Sequence, residues 1–313
     1  MELGTRSTQE QRGFVLSVDL EDWHQLVQRG AGTDNWDVRH PAFERQARVL
    51  LDLLDELDVK ATFFVLGITA RTYPAVVADV AARGHEIASH GTAHVRVPAQ
   101  TPDEFRHDIE ESIGLLEDIC GRRPFGYRAP AFSINRDTPW AYEILSELGF
   151  VYDSSQHDSP RIPRRLEGIP TDAYRLRLAS GHELWEFPVA VWHTRGRTLP
   201  IGGGGYWRAF PTRLLVHGLE CVRATSTFPV LYVHPYEFDP APLRAALPHG
   251  ASPKQRLKAL SRGLYRNPGR RRTPRQLATV TSTFPVFTYE SLLRHNALSG
   301  ARTKALSPSG AVV

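Results

Sequence analysis

The feature that most limits what this chain can fold into is the regular exchange of short apolar runs with helical patterns, each run closing on polar residues. Phe14 to Val18, Ala61 to Leu66, the run ending at Ser89, Phe125 to Tyr127, Phe150 to Tyr152, Leu184 to Val191 and Val230 to Val233 read as strands. Between them, Phe43, Ala47, Leu50, Leu51, Leu54 and Leu57 recur at helical spacing, and further helices are expected near 75–83, 101–120, 138–148 and 212–224. Thr101, Pro102 and Glu104 stand in capping-box register at the start of one of them. Such alternation argues for a parallel sheet with helical crossovers, and about seven units point to a closed or nearly closed (β/α) barrel. Chemistry in these barrels sits at the C-terminal ends of the strands. Asp19, Glu21 and Asp22, then His90, Arg128, Asp153 and His234, all fall just after an expected strand. Scattered polar residues have no reason to choose the same end of five strands, whereas one site at a barrel mouth requires it.

Within Gly84 to His94 the two histidines His90 and His94 are four apart, a spacing that places both imidazoles on one face of a helical turn and lets them hold a metal from one side. Two neutral imidazoles suit Zn²⁺ and also Fe, Co or Ni, and three protein ligands leave a position open for water. The third ligand is sought in the acidic cluster Asp19-Leu20-Glu21-Asp22.

The barrel is expected over 13–240, preceded by a flexible tail (1–12) and followed by a largely helical extension (241–298) and a Ser/Gly/Pro-rich tail (299–313) expected to be disordered. Trp23 and His24 are read as entering a loop that runs to His40, and 156–182 as another long loop. No apolar run reaches the roughly 18 residues a spanning helix needs. Residues 1–12 contain no apolar stretch of signal-peptide type, which sets the expectation of a cytoplasmic protein. Cys120 and Cys221 are expected to be reduced and unpaired. Part of the net charge of +4 comes from Arg270-Arg271-Arg272 with Arg275. Aromatics do not interleave with this run, which argues against nucleic-acid binding; it reads as a solvated loop or as a contact for an anionic polymer.

Taken together, these residues in this order resemble the polysaccharide deacetylase family with the NodB homology domain, carbohydrate esterases built on a deformed (β/α) barrel. The resemblance runs from about Phe14 to Glu237. It is carried by Ser17-Val18-Asp19-Leu20-Glu21-Asp22, by Ala61-Thr62-Phe63-Phe64-Val65, by Ser89-His90-Gly91-Thr92-Ala93-His94, by Tyr127 to Ser133 and by the strand ending in His234. The start Asp-x-Glu-Asp-aromatic, the Gly202 to Arg208 loop and His234-Pro235-Tyr236-Glu237 look like the branch tied to bacterial exopolysaccharide gene clusters. Much of the family carries two adjacent aspartates, a base and then a metal ligand. Here three acids stand in their place, and a gap-free match makes Glu21 the base and Asp22 the ligand. Strand alternation points Asp19 and Glu21 to the same face, so Asp19 as base stays open.

The resemblance implies a hydrolase that removes N-acetyl groups from N-acetylhexosamine units of an exopolysaccharide or its precursor. One divalent ion, Zn first with Co, Ni, Mn or Fe as alternatives, would be held by Asp22, His90 and His94. Arg128 would fix the base, the backbone N–H of Ala131 would meet the oxyanion, and His234 would be the general acid, oriented by Asp153. Trp23, Phe132, Tyr206, Trp207 and Tyr236 are candidates for packing on sugar faces. The implied partners are a carbohydrate polymer or oligosaccharide and a polymer-synthesis complex to which the protein is peripheral. Two other readings are carried: a cyclic amide or imide hydrolase of allantoinase type on the same fold, and a catalytically silent carbohydrate-binding scaffold.

Overall fold

The computed structural model describes residues 12–30, 39–159, 164–244, 247 and 250–313. The strands are β1 (Phe14–Leu20), β2 (Thr62–Val65), β3 (Glu86–Ser89), β4 (Gly126–Tyr127), β5 (Tyr152–Asp153), β6 (Tyr174–Arg177), β7 (Glu183–Glu186), β8 (Trp192–Thr194), β9 (Arg197–Leu199), β10 (Val230–Val233), β11 (Val286–Phe287) and β12 (Thr303–Ala305). The main sheet runs β10-β1-β2-β3-β4-β5-β7-β6-β12. Seven of these strands, from β10 through β1 to β5 and then β7, pair in parallel. Val189, just past β7, bridges Val230 at the start of β10, and the Ala190 amide donates to the Val230 carbonyl, so the sheet curls back on itself. This is the expected deformed α/β barrel.

Burial on both faces explains the sequence of β1, Phe-Val-Leu-Ser-Val-Asp-Leu, where every residue is buried. Its one small hydroxyl, Ser17, donates to the Leu231 carbonyl of the neighbouring strand at 2.8 Å. Helices cover the outside. Pro41–Glu56 buries Phe43, Ala47, Leu50, Leu51 and Leu54 as its periodicity requires. Pro102–Cys120 opens on the capping box of Thr101 and Glu104 and closes on Gly121 in the left-handed region, φ 66°.

Three segments depart from the sequence reading. Trp23–Gly30 is a helix rather than a loop: Asp22 accepts the His24 amide at 2.8 Å, and Trp23 and Val27 bury one turn apart. The extension 241–298, expected to be largely helical and packed on or beside the barrel, also adds a strand: β11 pairs with β1, and Tyr289 is fully buried against Phe64, Tyr152 and Phe187. The tail 299–313, expected to be disordered, adds β12 in parallel to β6, while the Val312 amide donates to the Glu167 carbonyl at 2.8 Å. Its composition misled because two residues, Leu306 and Val312, are enough to anchor it to the core below β6. The expected tail at 1–11 lies outside the described residues. Part of the loop expected over 156–182 is the strand β6. Among the described residues no helix is long and apolar enough to cross a membrane. Cys120 and Cys221 are both unpaired, as expected.

Candidate active site

The ends of β1, β3, β4 and β10 bring together the polar residues singled out above. Glu21 is 5% exposed and sits between the two histidines: its Oε1 lies 2.9 Å from His90 Nε2 and 2.7 Å from His94 Nε2. These three donor atoms lie within 4.8 Å of one another. Asp22 is not among them. Its carboxylate is committed to the helix that follows, capping the His24 amide, with the Tyr73 hydroxyl 3.4 Å away. Burial raises its pKa to about 6, against the hydrogen bonds it accepts from the His24 and Gln25 amides and from Tyr73. Of the expected ligands, then, His90 and His94 stand together with Glu21, while Asp22 stands apart from them. The helix at Trp23 supplies the reason, because it needs a capping side chain where the sequence reading had placed a loop.

The two histidines do not share a helical turn. Gly91 (φ 76°) and His94 (φ 53°) both adopt left-handed backbone, so the chain curls and returns the second imidazole beside the first. Asp108 holds that curl by accepting the Thr92 and Ala93 amides at 2.9 and 3.1 Å, and Arg29 Nη1 donates to the Ala93 and His94 carbonyls at 2.7 and 2.8 Å.

The donor chemistry fits a divalent cation. His90 Nδ1 lies 2.6 Å from the Arg128 carbonyl, which can only accept, so Nδ1 carries the proton. Nε2 is then the ring nitrogen turned to Glu21 at 2.9 Å, where a proton or a divalent cation can sit between them. One carboxylate and two imidazoles also match the ligand types expected for such an ion. Burial opposes ionisation of Glu21, but the charge of His94 and hydrogen bonds from His90 and His94 hold its pKa well below the usual carboxylate range. A second possible group, Asp19, Glu21 and His234, shares Glu21. There, however, Asp19 already receives Arg128 Nη1 at 2.7 Å on one oxygen.

Arg128 is fully buried and fixed on every side. Its Nε donates to the Ser154 carbonyl at 3.0 Å, and Nη2 donates to the Ser154 hydroxyl at 3.0 Å and the Tyr289 hydroxyl at 2.9 Å. The Phe64 ring lies 4.0 Å below the guanidinium. So firm a seat gives Arg128 one orientation toward Asp19.

His234 Nε2 faces the same carboxylates, 3.7 Å from Glu21 Oε2 and 4.0 Å from Asp19 Oδ2. Its Nδ1 lies 3.1 Å from Glu237 Oε1. Burial lowers the basicity of His234, and the charge and hydrogen bond of Glu237 more than reverse this, so its pKa is raised. The orienting carboxylate is therefore Glu237, and the expectation that Asp153 orients His234 is corrected. Asp153 accepts the Ser155 amide and hydroxyl at 2.8 and 2.7 Å, and Ser155 in turn accepts the Ala129 amide, so Asp153 props the Arg128–Ala131 turn instead. Glu237 was missed by residue type alone, yet its position three residues after His234 is the capping-box spacing that pairs them. Gly204 and Gly205 belong to this pair: a Cβ at Gly204 would lie 2.5 Å from Glu237 Oε2. These glycines permit that close packing.

A cleft of about 770 Å³ opens beside His94, lined among others by Trp23, Ala131, Tyr236, Arg262 and Arg266. Ala131 stands in left-handed backbone (φ 54°, ψ 29°) at this wall. Tyr236 stacks on His234 with ring centres 5.0 Å apart. Phe132 packs edge-on to Tyr232 at 4.9 Å, and Tyr206 is half-buried. Trp207 is a correction: it is fully buried in the main core with its Nε1 donating to the Ile201 carbonyl at 2.8 Å, and it cannot touch a substrate. The arginine run is also structural in part. Arg270 is buried and donates to the carbonyls of Tyr236, Asp239 and Ala241, pinning the chain just beyond His234.

The fold and this cluster define an α/β barrel with a carboxylate and two imidazoles converging at the strand ends. Residues 36–152 match the polysaccharide deacetylase family, and residues 156–293 match a domain of unknown function, DUF3473. A peptidoglycan deacetylase-like protein, FGM2, from Gibberella zeae is 34% identical over 159 residues, 49% of this chain and 46% of that protein. The chain spans less than half the length of the first curated relatives it matches. Among solved structures, one assigned to the polysaccharide deacetylases, from Mycobacterium smegmatis, aligns with a TM-score of 0.58 at 25% identity, over 92% of this chain and 91% of that one. Puue allantoinase aligns with a TM-score of 0.58 at 17% identity over 93% and 92%, a likeness of fold.

Proposed function

We propose that this chain is a metal-dependent hydrolase that removes the acetyl group from N-acetylhexosamine units of a polysaccharide, an exopolysaccharide or its precursor. The observation that carries the reading is Glu21 set between His90 and His94, with Asp19–Arg128 and His234–Glu237 on either side. Glu21, His90 and His94 would hold one divalent ion, Zn²⁺ being the natural first choice for that donor set. When bound, such an ion polarises an amide carbonyl and lowers the pKa of water from 15.7 toward about 7.

The remaining work belongs to the chain. Asp19 accepts the proton of the attacking water; Arg128 engages one of its oxygens and leaves the other turned to the site. The Ala131 amide donates to the developing oxyanion from the cleft wall. His234 Nε2 hands a proton to the leaving amine, and Glu237 keeps Nδ1 protonated and the ring oriented. Trp23 and Tyr236, each 3% exposed, form part of the cleft wall against which sugar rings would pack.

Acetate release from N-acetylglucosamine oligomers before and after chelation, and after metal return, tests this. Chelator-sensitive release supports the reading. Ring opening of allantoin without acetate release would replace it with the cyclic-amide hydrolase. Polymer binding with neither activity would leave the silent scaffold.

A further inference from the structure

The helix Pro253–Arg266 has two faces with different surroundings. Ala259 and Gly263 are buried, and Arg262 and Arg266 line the cleft beside His94. On the opposite side Leu257, Leu260 and Leu264 are 68%, 60% and 66% exposed. Their spacing of three and four places them in one stripe. Lys254, Arg256 and Lys258 stand among them, and with Arg262 and Arg266 the helix carries five basic residues and no acid. Phe125, Val151, Leu214 and Val313, which are also large, apolar and exposed, lie singly in the chain. Isolated exposed apolar residues need no explanation, whereas a leucine stripe on a cationic helix does.

We propose that this helix docks the protein on an anionic lipid surface, the leucines entering the boundary between headgroups and acyl chains and the flanking cations meeting lipid phosphates. A basic amphipathic helix with low overall hydrophobicity and a continuous apolar stripe is the physical form that lies in such an interface. Charge favours this occupant over a second copy of the chain: a two-fold contact through the stripe would bring together two helices that each carry Lys254, Arg256 and Lys258 beside it and no acid of their own. Because Arg262 and Arg266 line the cleft from the same helix, docking holds the cleft within about one helix diameter, roughly 10 Å, of the bilayer. A glycan made or anchored at that surface would then reach the site without leaving it.

The test is co-sedimentation of the full chain with vesicles of phosphatidylcholine alone and with about one third phosphatidylglycerol, at low and high salt. Binding at least tenfold tighter to the anionic vesicles, weakening with salt, is expected. Leu257→Gln/Leu260→Gln/Leu264→Gln is expected to lose at least tenfold of it, and Lys254→Gln/Lys258→Gln most of its salt dependence. The leucines are exposed, so the triple variant should keep the parent's melting temperature and its activity on soluble substrate; Leu260→Gln alone serves if it does not. Absent or equal binding to both vesicles overturns the proposal, and so does anionic binding indifferent to the leucine changes. A dimer in solution that the leucine substitutions dissociate would assign the stripe to a second copy and overturn it as well.

Discussion

Glu21, His90 and His94 converge from the ends of β1 and β3, all within the first 94 residues, whereas His234, Glu237 and Tyr289 arrive from the region after residue 156. The first set lies largely within the stretch that matches polysaccharide deacetylases, and the second within the DUF3473 match. They perform different physical work. The first presents a converging donor set; the second supplies an oriented histidine on one flank and a buried tyrosine that seats Arg128 from below. Neither match is a site by itself, since Asp19 and Glu21 precede the first, and Arg128 within it is fixed in part by Tyr289 from the second.

Substitutions that break one side of this comparison should show that division. His90→Ala or His94→Ala is expected to lower acetate release about a thousandfold or more, because both metal retention and chemistry go. His234→Asn is expected to lose about 10²–10⁴ in kcat with metal content intact, the loss of a general acid. Glu237→Gln should cost about 10–100-fold, again without loss of metal, since the ring keeps its place and loses its orienting charge. Gly204→Ala pushes on the same carboxylate and should resemble a milder Glu237→Gln, with a lowered melting temperature because Val233 is also in the way at 2.6 Å. A change in KM alone for Gly204→Ala would contradict this link to Glu237.

The smallest effect concerns the buried pair under the Arg128–Ala131 turn. Burial first, then the charge of Asp153 beside it, raises the pKa of Glu186 well above the usual carboxyl range. A carboxyl raised in the folded state contributes stability that is complete below its unfolded value of about 4.3 and is lost as pH rises toward the folded one. Glu186→Gln is therefore expected to change little at pH 4 and to raise stability at pH 8 by about 1 kcal/mol, a shift of about 2–4 °C in a melting curve. A melting temperature lowered equally at both pH values would contradict the assignment.

What the sequence disclosed follows the range of the interactions involved. Strand-end acids, the paired histidines and Thr101's capping box are set by neighbours within a few residues, and they were legible. For Asp22 one local fact was not legible: a helix begins at Trp23 and draws that carboxylate into its cap. Trp207 in a Gly-rich stretch looked like an exposed aromatic, and only the packing of distant segments buries it. Tyr289 carried no signal, because its role depends on meeting Arg128 across 161 residues of chain. Glu237 stood in plain sight three residues from His234, and the capping spacing could have named it.

Glu21, rather than Asp22, is proposed to complete the metal centre with His90 and His94. Elemental analysis of purified Glu21→Gln and Asp22→Asn, side by side with the parent, tests it most directly. Asn caps a helix about as well as Asp, so the second variant should fold. The prediction is stoichiometric metal in the parent and in Asp22→Asn, with loss of most of it in Glu21→Gln. Metal retained by Glu21→Gln and lost by Asp22→Asn would contradict the claim.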